Sequence, residues 1–294
     1  SLRFQWYTEF IKINLKQDIP VWSKIFIFSK GYFSERNEFT MKKKLISLLL
    51  CLVLFAALFC GALYCSTNSN GKAVWYFSSS CEGKLNSLSH IPKNTLTGYD
   101  SLMIVAHPDD ETIWGGSHLL NGNYVVVCIT NGNNKTRRRE FESVIKQTGS
   151  IGIMLTYPDK TLGKRDNWNS CKTEIEKDVA AILKMNDWQT IVTHNPEGEY
   201  GHIHHQMTSE LTTTAVSDRE QLDRLYYFGK YVKAKNMASG KYKKYLTNAI
   251  SGQELDRKMA LTRLYGSQKK VMDHLGHMLP YENWTPASPS ASQH

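Results

Sequence analysis

Two clusters of histidine and carboxylate residues in this sequence have the side chains that bind metal ions. The first, Ala106-His-Pro-Asp-Asp-Glu111, follows the short apolar run Ser101–Val105. Adjacent carboxylates beside a histidine repel one another unless a cation or a proton compensates their charge. The second cluster, His202-Ile-His-His205, comes one polar loop after another short apolar run, Thr190–Thr193. The sequence therefore indicates a metal site built from two segments far apart in the chain.

Alternating strands and helices must position these clusters. Near-continuous runs of Val, Ile and Leu predict buried parallel strands, and they lie at Ser101–Val105, Tyr124–Thr130, Ile151–Thr156, Thr190–Thr193 and Leu225–Phe228. Helical segments between these strands indicate β-α-β units and a doubly wound α/β fold. Ligands of such sheets bind beyond the carboxyl ends of the strands, so we expect the two clusters to share one crevice.

The chemistry that fits these residues is metal-assisted amide hydrolysis. Three His or carboxylate ligands with an open position for water define a catalytic zinc site, and His107, Asp110 and one of the later histidines supply them. A carboxylate that does not bind the metal could take a proton from water, and a spare histidine could stabilise an oxyanion. Two simpler interpretations remain: the acidic run caps a helix, and the histidine pair lies on the surface.

The charge of the chain argues against nucleic-acid binding. The formal net charge is +9, but from residue 45 onward there are 27 basic and 23 acidic residues, a net of +4. The one dense basic run in that part, Lys135–Arg139, is short. Because phosphate recognition needs a continuous basic face, no nucleic-acid partner is expected.

The N-terminal region predicts a membrane segment. Met41-Lys-Lys-Lys44 precedes twenty uncharged residues, 45–64, and a helix of this length spans roughly 30 Å, the thickness of the bilayer core. We predict a transmembrane anchor or a signal peptide at 41–65, and the lack of a clear cleavage site favours the anchor. The flanking lysines keep their side cytoplasmic, so the expected location is the cell membrane with an extracytoplasmic catalytic domain, or secretion if the segment is cleaved.

The boundaries of the other segments of the chain follow from their amino-acid composition. Residues 1–40 precede Met41, which resembles a natural start, and are treated as an upstream extension whose native status the sequence leaves open. Residues 66–97 are rich in Ser, Asn and Lys and predict a tether with one short strand at 73–77, and 98–284 form the predicted catalytic domain. The Pro- and Ser-rich residues 285–294 predict a disordered tail.

The first motif, with His202-x-x-His205 about a hundred residues later, resembles the LmbE-like, or PIG-L, family of de-N-acetylases. That family includes N-acetylglucosaminyl-phosphatidylinositol de-N-acetylase and the deacetylases of mycothiol and bacillithiol synthesis. The secondary matches are Thr130-Asn-Gly132, Arg137-x-x-Glu140, Tyr157-Pro-Asp159 and Tyr265-Gly-Ser-Gln268. The resemblance implies a Rossmann-like, mostly parallel sheet flanked by helices, and a zinc-dependent hydrolase that acts on N-acetylated amino sugars.

The resemblance also implies roles for individual residues. His107, Asp110 and His205 match the zinc ligands, Asp109 matches the general base, and His202 matches a protonated histidine that supports the oxyanion and helps the amine leave. Arg137 and Asp159 match positions that line the sugar pocket in some members. One Zn²⁺ per chain is expected, although Fe²⁺ would fit the same ligands.

One position departs from the family pattern. His204 stands where many members have an acidic or amide residue, just before the last ligand. It could alter the metal environment or point to solvent, and it puts in doubt any substrate taken from one characterised member. Two other functions compete with deacetylation: an inactive carbohydrate-binding module and a metal-dependent phosphoesterase. The sequence leaves the acceptor sugar and the oligomeric state open.

Overall fold

The computed structural model describes residues 46–56, 74–78, 82–247 and 249–288. The chain divides into two compact units, Ser1–Leu63 and Tyr64–His294. In the first unit, residues 46–56 form a helix whose side chains are exposed. The predicted extension at 1–40, and most of the predicted anchor or signal peptide at 41–65, lie outside the described residues. Within the described ranges, no helix is both long enough and apolar enough to cross a bilayer.

The second unit is a mixed α/β domain around an eight-stranded, mostly parallel sheet. The sheet strands are β1 Val74–Phe77, β2 Glu82–Leu85, β3 Ser101–Val105, β4 Tyr124–Thr130, β5 Ile151–Tyr157, β8 Thr190–Thr193, β9 Leu225–Tyr227 and β10 Thr285–Pro286. Their order is β10-β9-β8-β3-β4-β5-β1-β2. The five inner strands from β9 to β5 pair in parallel, whereas β10, β1 and β2 pair antiparallel at the two edges. A separate hairpin pairs β6 Lys160–Thr161 with β7 Lys164–Arg165.

Helices cover both faces of the sheet. The α-helices are α1 Asp110–Asn121, α2 Lys135–Thr148, α3 Lys172–Leu183, α4 Gly198–Gly201, α5 Ile203–Ser217, α6 Gly252–Thr262 and α7 Lys269–Leu275. Short 3₁₀ turns occupy Leu88–His90, Lys93–Leu96, Leu222–Arg224, Ala234–Asn236, Gly240–Tyr245, Gly266–Gln268 and Gly276–Met278. The helices predicted between the inner strands are thus present.

Successive side chains of β3 point to opposite faces of the sheet, so the strand is anchored in two separate hydrophobic cores. Leu102 and Ile104 pack in a cluster with residues of α3 and α5, and Met103 and Val105 pack in another with residues of α1 and α2. Burying one side chain of this kind stabilises the fold by about 1.5–3 kcal/mol. The carboxyl end of β3 is therefore held firmly from both faces.

The strand order creates the crevice. From β3 the chain winds outward on one face through α1 and α2 to β5, then crosses by α3 to β8 on the other side of β3. The order therefore reverses between β3 and β8, where open α/β sheets bind their ligands. Both polar clusters follow these two strands, so the predicted convergence has a topological cause.

Two predicted boundary segments are instead part of the domain. Residues 74–77 and 82–85, assigned to the tether, extend the sheet because β1 pairs with β5 and β2 with β1. The predicted disordered tail begins as an edge strand, since Thr285 and Pro286 pair with β9 and the Ala287 amide donates to the Leu225 carbonyl. In both cases backbone pairing to a strand distant in sequence overrides the local composition. Residues 289–294 lie outside the described part of the chain.

Candidate metal centre

The loop after β3 is held in an unusual conformation. Asp109 precedes α1 with a φ of 120°, a region that non-glycine residues rarely adopt. Glu111 accepts the Asp109 amide at 2.9 Å, and its other oxygen accepts the Tyr265 hydroxyl at 2.6 Å. Glu111 is fully buried, so it holds the loop in place and does not face the crevice. Strained backbone of this kind persists only where the surroundings fix it.

The three predicted ligands come together in the structure. The Oδ2 atom of Asp110 lies 3.3 Å from His107 Nδ1, and its Oδ1 atom lies 3.3 Å from His205 Nε2. His202 joins them, since His107, His202 and His205 each offer one nitrogen and the three atoms lie within 4.8 Å of one another. Two segments about a hundred residues apart thus contribute to one cluster.

The Nε2 atom of His205 has the properties of a metal ligand. It is buried and has no hydrogen-bond partner among the residues that the structure describes. Asp110 Oδ1 lies close to it, yet outside hydrogen-bonding geometry. Both atoms would instead be satisfied by a shared cation, and a set of two imidazoles and one carboxylate suits Zn²⁺ or Fe²⁺. Burial lowers the pKa of His205, but Asp110 and Glu199 outweigh it and raise the pKa to about 10, so the site favours positive charge.

Glu199 orients this histidine, and the sequence interpretation missed it. Its carboxylate accepts from Nδ1 of His205 at 2.5 Å, from Nδ1 of His194 at 3.0 Å and from the Asn195 amide at 2.9 Å. Glu199 is buried and has a φ of 54°. A carboxylate on the far nitrogen of a ligating histidine fixes its tautomer and raises its basicity.

His194 links the two strand ends and is not available as a ligand. Its Nε2 accepts the Ala106 amide at 3.0 Å, so this nitrogen carries no proton and Nδ1 donates to Glu199. One possible metal-binding group does include Asp110, His194 and His205. The hydrogen bond from Ala106 occupies the lone pair that ligation would need, so we assign His194 a structural role.

Asp109 and Arg137 form a buried ion pair beside the cluster. Arg137 Nη2 donates to Asp109 Oδ2 at 3.0 Å and to the Pro108 carbonyl, and its Nη1 donates to Glu140 at 2.9 Å. Burial and the neighbouring Asp110 raise the pKa of Asp109 well above its usual value, against the opposing effect of Arg137. Arg137 is buried and its guanidinium contacts protein groups, so the structure places it behind the base. Its predicted contact with the sugar stays a prediction.

Asp159 lies at the edge of the cluster. It follows β5, its side chain is 26% exposed, and its Oδ1 is 3.4 Å from His107 Nε2. Although burial raises its pKa, His107 and Arg165 hold the pKa of this carboxyl well below the usual value. Its neighbour His204 is fully buried, which excludes the alternative that this residue points to solvent.

His202 caps helix α5, and its surroundings lower its pKa, which favours the neutral form over the protonated form that the resemblance implied. Its Nδ1 accepts the His204 amide at 3.2 Å, so the single proton of the neutral ring lies on Nε2. Burial, together with His205 and His107, lowers the pKa of His202 to about 2. A metal ion would act in the same direction, because it too is a positive charge. His202 therefore offers a neutral N–H donor.

Two comparisons show which known proteins this chain resembles. The family model described as GlcNAc-PI de-N-acetylase (PIG-L) matches residues 102–216, which run from β3 to α5 and include both polar clusters. An uncharacterized protein of Acanthamoeba polyphaga mimivirus is 33% identical over an alignment of 140 residues that covers 42% of this chain. The chain spans 60% of the length of that relative.

Proposed function

We propose that this chain is a metal-dependent hydrolase that removes an N-acetyl group from an amino sugar, because residues 102–216 match the family model described as GlcNAc-PI de-N-acetylase. One observation carries the proposal. The buried Nε2 atom of His205 has no hydrogen-bond partner among the described residues and lies 3.3 Å from Asp110 Oδ1, and the Asp109 carboxylate is near enough to interact electrostatically with His205. Such a site can hold a metal ion and has in Asp109 a carboxylate that can take a proton from water.

His107, Asp110 and His205 would hold the ion. The chemistry supplied there by Zn²⁺ or Fe²⁺ is Lewis-acid polarisation of the acetyl carbonyl and acidification of a water molecule. Asp109 removes the proton from the attacking water, and burial favours this step because it makes the carboxylate a stronger base. The protonated Asp109 then gives this proton to the nitrogen of the leaving amine as the C–N bond breaks, so that acetate and the free amine are formed. Arg137 keeps Asp109 in place.

His202 stabilises the negative charge that develops on the carbonyl oxygen. Its Nε2–H is a donor fixed by the bond that Nδ1 accepts from the His204 amide, and a preorganised donor needs little rearrangement during the reaction. Asp159 supports a sugar as substrate, since a partly exposed carboxylate at the edge of the cluster can accept hydrogen bonds from hydroxyl groups. Of the two residues predicted to contact the sugar, Asp159 is the better supported.

The test is acetate release by the purified protein from N-acetylglucosamine conjugates, N-acetylated glycolipids and muropeptides. We expect a chelator to abolish release and added Zn²⁺ or Fe²⁺ to restore it. Release that is insensitive to chelator would contradict the metal, and an inactive but sugar-binding protein would favour the binding module. Phosphate release from sugar phosphates, with two metal ions per chain, would favour the phosphoesterase.

Metal affinity should rise with pH. His205 must lose its proton before Nε2 can bind an ion, and its pKa in the metal-free protein is raised to about 10. We therefore expect affinity to increase by about tenfold per pH unit from neutral pH towards pH 9, with about one proton released per ion. Competition with a chromogenic chelator across this range measures the slope, and a flat profile would contradict the role of His205.

The same proton stabilises the metal-free protein with the opposite pH dependence. Because the folded pKa lies above the usual 6.5, this contribution is full below about pH 6.5 and is lost as the pH rises towards 10. Thermal unfolding of the metal-free protein, compared with a His205→Gln variant, separates this effect from metal binding.

We also propose that the catalytic domain lies outside the cytoplasm. The support is in the sequence, where Met41-Lys-Lys-Lys44 precedes the uncharged residues 45–64. Protease treatment of intact cells or of sealed right-side-out vesicles should digest the domain without permeabilisation. A domain protected until the membrane is opened would contradict this location.

A further inference from the structure

His204 is the residue that departs from the family pattern, and both of its ring nitrogens are engaged. Its Nε2 lies 2.7 Å from the carbonyl oxygen of Asp166. Because a carbonyl oxygen can only accept, Nε2 carries the proton, and the Nδ1 atom of the neutral ring has a free lone pair. This Nδ1 lies 3.0 Å from Nε2 of His107.

The contact sets the tautomer of the neighbouring ligand. Since His204 Nδ1 accepts, His107 Nε2 must donate, and the other ring nitrogen of His107 is left without a proton. That nitrogen, Nδ1, is the one that lies 3.3 Å from Asp110 Oδ2, inside the cluster. We propose that His204 is a positioning residue that holds His107 in the form whose Nδ1 binds the metal ion. This inference rests on the metal-binding part of the proposed function.

The loop between β5 and α3 holds His204 rigidly. The indole ring of Trp168 stacks on His204 with ring centres 4.2 Å apart and planes 9° from parallel. Trp168 is itself fixed, because its Nε1 donates to the Pro158 carbonyl at 2.7 Å and its amide donates to Asp166 Oδ1 at 2.7 Å. The carbonyl that orients His204 thus belongs to the same residue that anchors the stacked ring.

Asp159 is a second acceptor near the same proton, and it reinforces the same tautomer. Its Oδ1 lies 3.4 Å from His107 Nε2, which is longer than the contact to His204, and that oxygen also pairs with Arg165. Loss of His204 should therefore weaken the control of the tautomer without reversing it. An alternative is that His107, Asp159 and His204, whose ligand atoms lie within 4.8 Å of one another, hold a second ion.

Two substitutions separate the hydrogen bond from the packing. His204→Phe keeps a flat ring on Trp168 but removes both nitrogens, whereas His204→Asn keeps an acceptor near the position of Nδ1 and loses the stacked ring. Partners of ligating histidines typically contribute 10–100-fold in metal affinity. We expect Zn²⁺ affinity to fall by about 10–100-fold in His204→Phe and by less than about threefold in His204→Asn. His90→Phe, at an exposed turn, is the control and should bind Zn²⁺ as wild type does.

Chelator competition with Zn²⁺ and metal counting give the first readout. Wild-type affinity in His204→Phe, or equal losses in the Phe and Asn variants, would overturn the proposal. A wild-type content of two ions per chain that falls to one in His204→Phe would overturn it as well, because His204 would then be a ligand. If wild type binds no ion at all, the proposed function fails, and the second readout still tests the role of His204.

That second readout is the ring tautomer of His107 in the metal-free protein, measured by ¹⁵N NMR of labelled histidines at a pH where the ring is neutral. We expect wild type to carry the proton on Nε2, and His204→Phe to show a detectable population with the proton on Nδ1. A packing role alone would not change these signals. Identical His107 signals in the two proteins, or a wild-type proton on Nδ1, would overturn the inference.

Discussion

Replacing Asp109 with Asn is expected to lower kcat by about 10²–10⁴-fold while the protein still binds its metal ion, because a positioned general base contributes about this much. The amide has the shape of the carboxylate and can still accept from Arg137, which lies 3.0 Å away. It cannot take a proton from water. Arg137 also keeps its bond to Glu140, so its charge does not become unpaired when the variant folds.

Metal content, melting temperature and acetate release together distinguish loss of the base from loss of the metal ion or of the fold. Metal content should stay at the wild-type value and the melting temperature should change little, while acetate release falls. Asp100→Asn, at an exposed position just before β3, is the matched control and should keep wild-type kcat. A fully active Asp109→Asn variant would show that another group removes the proton.

If Asp109 is the general base, the rate of acetate release should depend on pH. The base works only when it is deprotonated, so activity should rise with pH through the pKa of Asp109. Burial and Asp110 raise that pKa above the usual value, while Arg137 and a bound cation oppose the shift. The acid limb of kcat/KM should therefore vanish in Asp109→Asn along with most of the activity.

The convergence of the two clusters could be predicted from the sequence because it depends on strand periodicity and chain order. Each inner strand is a short run of branched apolar residues, and the runs alternate with helices, which restricts the fold to a few topologies. Once β3 and β8 are neighbours in such a sheet, the residues after Val105 and Thr193 must meet. His107, Asp110 and one of the later histidines could therefore be predicted as ligands from the strand pattern, whereas the choice of His205 came from the resemblance to the family.

The partners of these ligands were not accessible in the same way. Glu197 and Glu199 lie two residues apart in one loop, yet the first pairs with Lys230 at the surface and the second accepts from two buried histidines. The difference arises from the backbone turn at Glu199, where φ is 54°. No local pattern specifies that turn, since it depends on packing between segments distant in the sequence.

His204 shows a related limit. Its ligand-like spacing was visible, but its partners Trp168 and the Asp166 carbonyl come from a loop about forty residues earlier. The short strand expected at 73–77 is β1, but the edge strand β2 was missed because four residues carry too little periodicity to outweigh a polar composition. The inner strands, the helices and their order were predictable from local patterns, whereas the side-chain partners that come from distant loops were not.

The second large effect is expected at His202. His202→Asn should lower kcat by about 10²–10³-fold, the usual cost of removing one oxyanion donor, with little change in metal affinity. Asn is a favourable residue at the start of a helix, and its Oδ1 can accept the His204 amide as the His202 ring does. The cap on α5 should survive, but the shorter side chain cannot reach the carbonyl oxygen. KM should change much less than kcat, because the bond is made mainly in the transition state.

A second variant, His202→Gln, should do the reverse of His202→Asn: it should keep a hydrogen-bond donor for the carbonyl oxygen and weaken the helix cap. The amide of His202→Gln ends near the position of Nε2, so it can donate to the carbonyl oxygen, but it is a poorer cap. We expect it to recover part of the lost kcat and to unfold more easily by about 1 kcal/mol. Because the pKa of His202 is lowered to about 2, neither variant should remove a titration near neutral pH from the rate profile. Wild-type kcat in His202→Asn would reduce His202 to a helix cap, whereas loss of a titration near neutral pH would mean that the reaction uses its protonated form.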